Sequence, residues 1–234
     1  MRSSRILAAA AALAIAGPAL AATYNDATGD LHNGVPSGTD FTGFTHLDIA
    51  SVEVTSDLTT LYFKINLVGD IQATNWGKYM IAIDSAPGGD PSGNGWGRPI
   101  SMPSGMDYWI GSWADQSPTS FRELWAYTGT WAQVSQDPVT LSQFATEFSV
   151  PLAAVGLAAG GTFSFDVYSS GGGGGDGAVD ALSSATPSIT DWGNAFTSAG
   201  NLPTYTVVIP EPASMSLLAL AGAGLLGRRR AVRA

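Results

Sequence analysis

Carboxylates and tryptophans are the residues in this 234-residue sequence best suited to chemistry. Of its 19 acidic residues, all but Glu211 fall between residues 22 and 209, and 15 of those 18 are Asp. The same segment holds only four basic residues, Lys64, Lys78, Arg98 and Arg122, so its formal charge is −14. A surface of that sign repels phosphates, which excludes nucleic acid as a partner. It attracts cations, and hard carboxylate oxygens suit Ca²⁺. Most of these Asp side chains are expected only to solvate the surface. Gly171-Gly172-x-Gly174-x-Asp176, with Asp180 beyond it, fits one copy of the glycine-rich nonapeptide that binds Ca²⁺ in β-rolls. That motif works by stacking repeats, and with no second copy the stretch is expected to be a flexible loop.

All seven tryptophans lie in the same segment: Trp76, Trp96, Trp109, Trp113, Trp125, Trp131 and Trp192. Sugars offer apolar C–H faces that stack on flat rings and hydroxyls that bond to carboxylates, amides and Arg. Trp96 sits in Gly93-Asn94-Gly95-Trp96-Gly97-Arg98 with nothing apolar beside it, so Trp96, Arg98 and Trp113 are the candidate carbohydrate contacts. The remaining strand-spaced tryptophans suit sandwich packing, and packing competes with binding at Trp96 as well. No Lys-Ser/Thr follows these glycines, which excludes a phosphate loop. His32 and His46 have no recognisable nucleophile constellation. A carboxylate pair could hydrolyse glycosides, but abundance singles out no pair. No catalytic residue is therefore assigned, and a non-catalytic protein is expected. The sequence has no cysteine, which excludes thiol catalysis and Cys-based zinc sites.

The elements that must position these residues have a period of two. Leu61, Phe63, Ile65 and Leu67 alternate with Tyr62, Lys64, Asn66 and Val68, as in a strand with one buried face. The phase slips between Ile49 and Val52, which predicts a bulge or bend. Further strands are expected at 79–84, 107–113, 124–127, 131–135, 144–150, 162–168 and 204–208, with a hairpin at Thr128-Gly129-Thr130. Only residues 152–157 invite a turn of helix. Many short strands with Gly- and Pro-rich connections predict an all-β chain, a single antiparallel β-sandwich of jelly-roll type. Residues 85–103 and 169–201 form the longest loops, a length usually functional or mobile.

The two ends carry addresses. Arg2 and Arg5, the apolar run 6–16 and Ala19-Leu20-Ala21 predict a secretory signal peptide over residues 1–21. At the other end, Pro210-Glu211-Pro212 precedes an apolar run, 214–227, and then Arg228, Arg229, Arg230 and Arg233. As a helix that run reaches about 21 Å, marginal against a hydrocarbon core of about 30 Å. Its basic end is expected to stay cytoplasmic. Together these parts resemble a PEP-CTERM sorting signal. The resemblance implies that an exosortase, a membrane-embedded cysteine protease, recognises Pro210-Glu211-Pro212 and processes the tail. It also implies an exported protein of a Gram-negative, exopolysaccharide-making bacterium. The protein would be held transiently in the inner membrane by the C-terminal helix and released to the cell envelope or extracellular matrix. The expected organisation is a signal peptide (1–21), a sandwich domain (22–208) and a sorting tail (209–234).

The central segment has a resemblance of its own. Asp26-x-x-Gly29-Asp30, His46-Leu47-Asp48-Ile49, Tyr79-x-Ile81-Ala82-Ile83-Asp84, a Gly-rich loop and then Trp109 and Trp113 follow the order of the DOMON-like β-sandwiches. That group includes family 9 carbohydrate-binding modules. The resemblance implies that Asp26, Asp30 and Asp48 hold a structural Ca²⁺ and that the module binds extracellular polysaccharide. The alternative is a surface scaffold whose tryptophans are all core. A glycoside hydrolase ranks third.

Overall fold

The computed structural model describes residues 21–113 and 120–209. The proposed signal peptide up to Leu20, the sorting motif and the C-terminal apolar helix lie outside the described residues. In chain order the strands are β1 (Ala22–Asn25), β2 (Ile49–Ser56), β3 (Thr60–Leu67), β4 (Lys78–Asp84), β5 (Ile100–Ser101), β6 (Tyr108–Ser112) and β7 (Phe121–Tyr127). They continue with β8 (Trp131–Pro138), β9 (Thr140–Leu141), β10 (Ala145–Pro151), β11 (Thr162–Ser170), β12 (Asp180–Ala181), β13 (Phe196–Thr197) and β14 (Thr204–Thr206). The chain is all-β, as the alternation predicts.

Two antiparallel sheets face each other. One has the order β1-β2-β3-β10-β9, the other β12-β11-β4-β6-β7-β8, with β14 also paired to β11. Period two decides which side chains enter the space between them. Val52, Val54, Leu61, Phe63 and Ile65 from the first sheet pack against Ile81, Ile83, Ile110, Phe165 and Val167 from the second. Tyr62, Lys64 and Asn66 point outward, where Lys64 meets Glu53 at 3.2 Å. The phase slip expected near Ile49 is a register shift between Ile49 and Ser51. It lets both halves of β2 bury their apolar residues. The β7–β8 hairpin turns at Gly129, whose φ of 95° favours a residue without Cβ. The expected helical turn is a single 3-10 turn, Leu152–Val155.

The long loops have a different role from the expected one. Strand β4 is buried along Lys78–Ile83, on both faces of its sheet. Its outward residues Met80 and Ala82 join Trp109 and Tyr168 in a second apolar cluster, with Phe41, Met102, Met106 and Ile189 supplied from outside the sheet. The segments 85–103 and 171–203 therefore form a covering layer, pinned together where β5 and β13 pair in parallel. Trp109 is fully buried beneath this layer. Trp109→Ala should accordingly cost about 3–5 kcal/mol in urea denaturation at fixed Ca²⁺, as for a core aromatic. A cost within about 0.5 kcal/mol would mean the outer face is solvent-facing.

Candidate metal centre and aromatic face

Four carboxylates gather where β1 ends and β2 begins. Asp26 continues the ladder past β1, its N–H donating to the Ala50 carbonyl at 3.1 Å. A turn with Gly29 at φ 76° brings Asp30 back toward Asp48. There the Gly29 N–H donates to Asp48 Oδ2 at 2.9 Å. Asp48 follows the 3-10 turn Thr45–Leu47 and is only 3% exposed. The fourth member is Asp180 on β12, 1% exposed, which accepts the Ile49 N–H at 2.7 Å and its neighbour Ala181's N–H at 2.8 Å. Asp30, Asp48 and Asp180 bring one oxygen each within 4.8 Å of one another.

The hydrogen bonding of this cluster is incomplete. Asp26 Oδ2, both oxygens of Asp30 and Asp48 Oδ1 are buried and have no hydrogen-bond partner among the described residues. Asp166, at 0% exposure, provides the contrast. It accepts bonds from the Ser183 and Ser198 hydroxyls, each at 2.6 Å, and from the Val167 and Ser183 N–H groups. Buried polar atoms left unpaired cost about 1–3 kcal/mol each, more when charged, and a bound ion is one standard resolution. An all-oxygen donor set with no nitrogen or sulfur fits a hard cation such as Ca²⁺. The remaining oxygens of its shell would come from backbone carbonyls and water.

Charge tells the same story. Burial, followed by the fields of Asp30, Asp166 and Asp48, raises the Asp26 carboxyl to about 7. Burial also raises Asp30 and Asp48. Asp180 is pushed well above the usual carboxylate range, by burial first and then by Asp26 and Asp30. Two of the three residues carried by the family likeness, Asp30 and Asp48, thus converge directly, and Asp26 lies within their field. Asp180 was missed as a partner because nothing local connects it to residues 26–48. Asp176, the residue grouped with Asp180 in the sequence, instead closes its own loop by accepting the Gly173 N–H at 2.8 Å.

The aromatic residues lie on the outer face of the second sheet. The Trp96 ring rests on Gly111, where a Cβ would come within 2.3 Å of it. The Trp96 and Trp113 rings are 4.8 Å apart and tilted by 41°. The indole N–H groups of Trp96 and Trp125 both donate to Glu123 Oε2 at 2.9 Å, and that of Trp131 donates to Asp90 Oδ2 at 2.9 Å. Trp96, Trp113, Trp125 and Trp131 are half-buried. Trp96 is thus seated on a strand and hydrogen-bonded, whereas its polar-loop sequence suggested an open ring.

Arg98 also departs from expectation. It is 6% exposed, and its guanidinium donates to the Ser170 hydroxyl at 2.7 Å and to the carbonyls of Asp176 and Gly171 at 3.1 and 3.2 Å. It lies 5.5 Å from the Trp96 ring centroid. Arg98 therefore braces the two covering loops and is not a solvent-facing sugar contact. Sequence reasoning did not single out a second half-buried group, Phe44, Trp76 and Trp192, with rings 5.3–5.8 Å apart.

The tail has a counterpart among known families. Residues 208–230 match the family model of the PEP-CTERM protein-sorting motif. The match includes Pro210, Glu211, Pro212 and Arg228 to Arg230, and it marks an exported protein that an exosortase processes at the membrane. No curated protein and no solved structure matches the chain, so the likeness of the core to DOMON-like sandwiches and family 9 modules has no support there. Among the described residues no helix is long and apolar enough to cross a membrane.

The carboxylate cluster makes a prediction whose sign is fixed. A carboxyl raised in the folded state stabilises the fold below its unfolded value, about 4, and that contribution is lost as pH rises through the folded value. In chelator the melting temperature should therefore fall as pH increases toward 7, the value reached by Asp26. Saturating Ca²⁺ should abolish the fall, adding about 2.7 kcal/mol at a hundredfold excess over Kd. Asp30→Asn should raise the melting temperature in chelator, by relieving repulsion, and remove the Ca²⁺ response. Coincident melting curves in Ca²⁺ and chelator would reject the metal centre.

Proposed function

We propose that this protein is a non-catalytic module of the cell envelope or extracellular matrix. In this reading its β-sandwich is stabilised by Ca²⁺ and contacts polysaccharide through the aromatic face. The export and exosortase processing rest on the matched tail. The observation that carries the calcium reading is the set of buried, partnerless oxygens on Asp26, Asp30 and Asp48. Extracellular calcium is abundant enough for sites of modest affinity, in the range of about 10⁻⁴–10⁻³ M.

Support for carbohydrate contact is geometric. Glu123 fixes the edges of Trp96 and Trp125, so half-open ring faces are held without further ordering cost. Trp113, tilted against Trp96 with ring centroids 4.8 Å apart, has no described side-chain hydrogen bond and is the ring of this face freest to serve a ligand. The scaffold alternative draws on a specific observation too: Arg98 is fully committed to the loops.

Affinity electrophoresis separates the two. Trp113→Ala should abolish retardation by neutral polysaccharides and shift the melting temperature little. Trp96→Ala should lose both retention and stability, because its ring packs on Gly111. Anionic polysaccharides should retard the protein less than neutral ones, given the segment's charge of −14. If no polysaccharide retards the wild type, the scaffold reading stands.

The sorting reading has its own test. Glu211→Ala should leave a membrane-associated precursor, detected by mass spectrometry of the C-terminus. An exported wild-type protein intact through Ala234 would overturn it.

A further inference from the structure

The domain releases both ends of its chain at one pole. At the C-terminal end, β14 pairs with the start of β11, setting Thr206 opposite Thr162. Val207, fully buried, then donates to the Gly161 carbonyl at 2.9 Å and accepts from the Gly160 N–H at 3.0 Å. The Val208 N–H donates to the Ser56 hydroxyl at 3.0 Å. At the N-terminal end, Ala22, the first residue after the proposed signal cleavage, pairs with Val54, and the Tyr24 hydroxyl donates to the Thr204 carbonyl at 2.6 Å. Both ends therefore leave beside the β2–β3 turn. The carboxylate centre lies at the opposite end of β2, about 23 Å away at the usual strand rise.

The sorting motif begins almost where the held chain stops. Pro210 is two residues beyond Val208, a reach of about 7 Å even when fully extended. A protease that engages Pro210-Glu211-Pro212 must therefore come up against the folded pole, because the tether is too short to hold the domain away. The composition of the pole suits that contact. The segment 152–161, Leu-Ala-Ala-Val-Gly-Leu-Ala-Ala-Gly-Gly, carries no charge in a domain of formal charge −14. It abuts the β2–β3 turn, where the Leu152 N–H donates to the Thr59 carbonyl at 2.7 Å. The turn's one charged residue, Asp57, accepts from the Thr59 and Thr60 N–H groups, both at 2.7 Å, and from the Tyr62 hydroxyl at 2.9 Å. Beside it Leu58 is 52% exposed.

We propose that this pole, the turn around Leu58 and the outer residues of 152–161, is a docking surface for the exosortase. The protease would then read the folded domain's end together with the motif. The inference rests on the exosortase reading of the tail, and the controls separate the two.

The experiment follows conversion of the full-length precursor to its mature form in cells by pulse-chase. Leu58→Glu, Leu58→Lys and Ala159→Glu place single charges on the pole. Each should slow conversion about fivefold or more, the factor that corresponds to roughly 1 kcal/mol of lost contact. Melting temperatures should stay close to wild type. A flexible ten-residue Gly-Ser insertion between Val208 and Ile209 should make conversion insensitive to these charges, because the longer tether lets the domain stand away. Unchanged conversion in all three variants overturns the proposal. So does slowing that persists with the insertion, which would be a general export defect. Slowing by Glu with acceleration by Lys also overturns it, in favour of an anionic lipid surface. Glu211→Ala is the control for the underlying reading: if it matures at the wild-type rate, the motif itself is not read.

Discussion

The structure depends on the second sheet being apolar on both faces. Ordinary sandwiches bury one face of each sheet and leave the other to water. Here β4 is buried from Lys78 to Ile83, so its alternation faces two cores. The inward residues Ile81 and Ile83 meet the first sheet, and the outward Met80 and Ala82 require a cover of their own. The chain meets that requirement with loops, which must then satisfy their backbone without strand neighbours. Arg98 does much of this by donating to two carbonyls and a hydroxyl across the gap between the covering segments. Asn94 adds bonds from its side-chain amide to the carbonyls of Arg98 and Ile100, at 2.8 and 2.9 Å. The aromatic face and the position of Asp180 both follow from how these loops close.

What the sequence discloses depends on the range of the interaction involved. Period-two alternation is local, so β2, β3 and the bulge after Ile49 were legible before any contact was known. The hairpin at Gly129 was legible for the same reason. Two-residue strands such as β5, β12 and β13 have no period to read, and they exist because the covering layer needs to be pinned. The loop around Trp96 is the instructive failure. Glycines and Asn read as open loop, yet Gly95 and Gly111 are small because indole rings pack against them, a Cβ at Gly95 falling 2.5 Å from Trp125. Absence of a side chain at one position can mark the seat of a large one elsewhere.

The same range argument applies to the carboxylates. Asp26, Asp30 and Asp48 lie close together in the sequence, but the contact between Ile49 and Asp180 spans 131 residues. Such a pairing becomes visible only when β11 and β12 are in place. Asp166 shows that burying an Asp does not by itself call for a cation, since its hydroxyl and N–H donors are sufficient. Among the described residues, the pole holding Asp30 and Asp48 lacks donors for several oxygens, and on that difference the proposed calcium reading rests.

A cation at that pole would do for this chain what a disulfide does elsewhere. The sequence has no cysteine, so no covalent bond joins its distant segments. Asp180 sits at the end of the second sheet and Asp48 at the start of β2 in the first. An ion shared between them would close a loop of well over a hundred residues, the length at which a cross-link in the native state offsets the most chain entropy. Unlike a disulfide, such a link would be conditional. It would form where free Ca²⁺ is high, outside the cell, and leave repelling carboxylates where Ca²⁺ is scarce. On the proposed calcium reading, the fold would therefore reach its full stability only outside the cell, where the cation is plentiful.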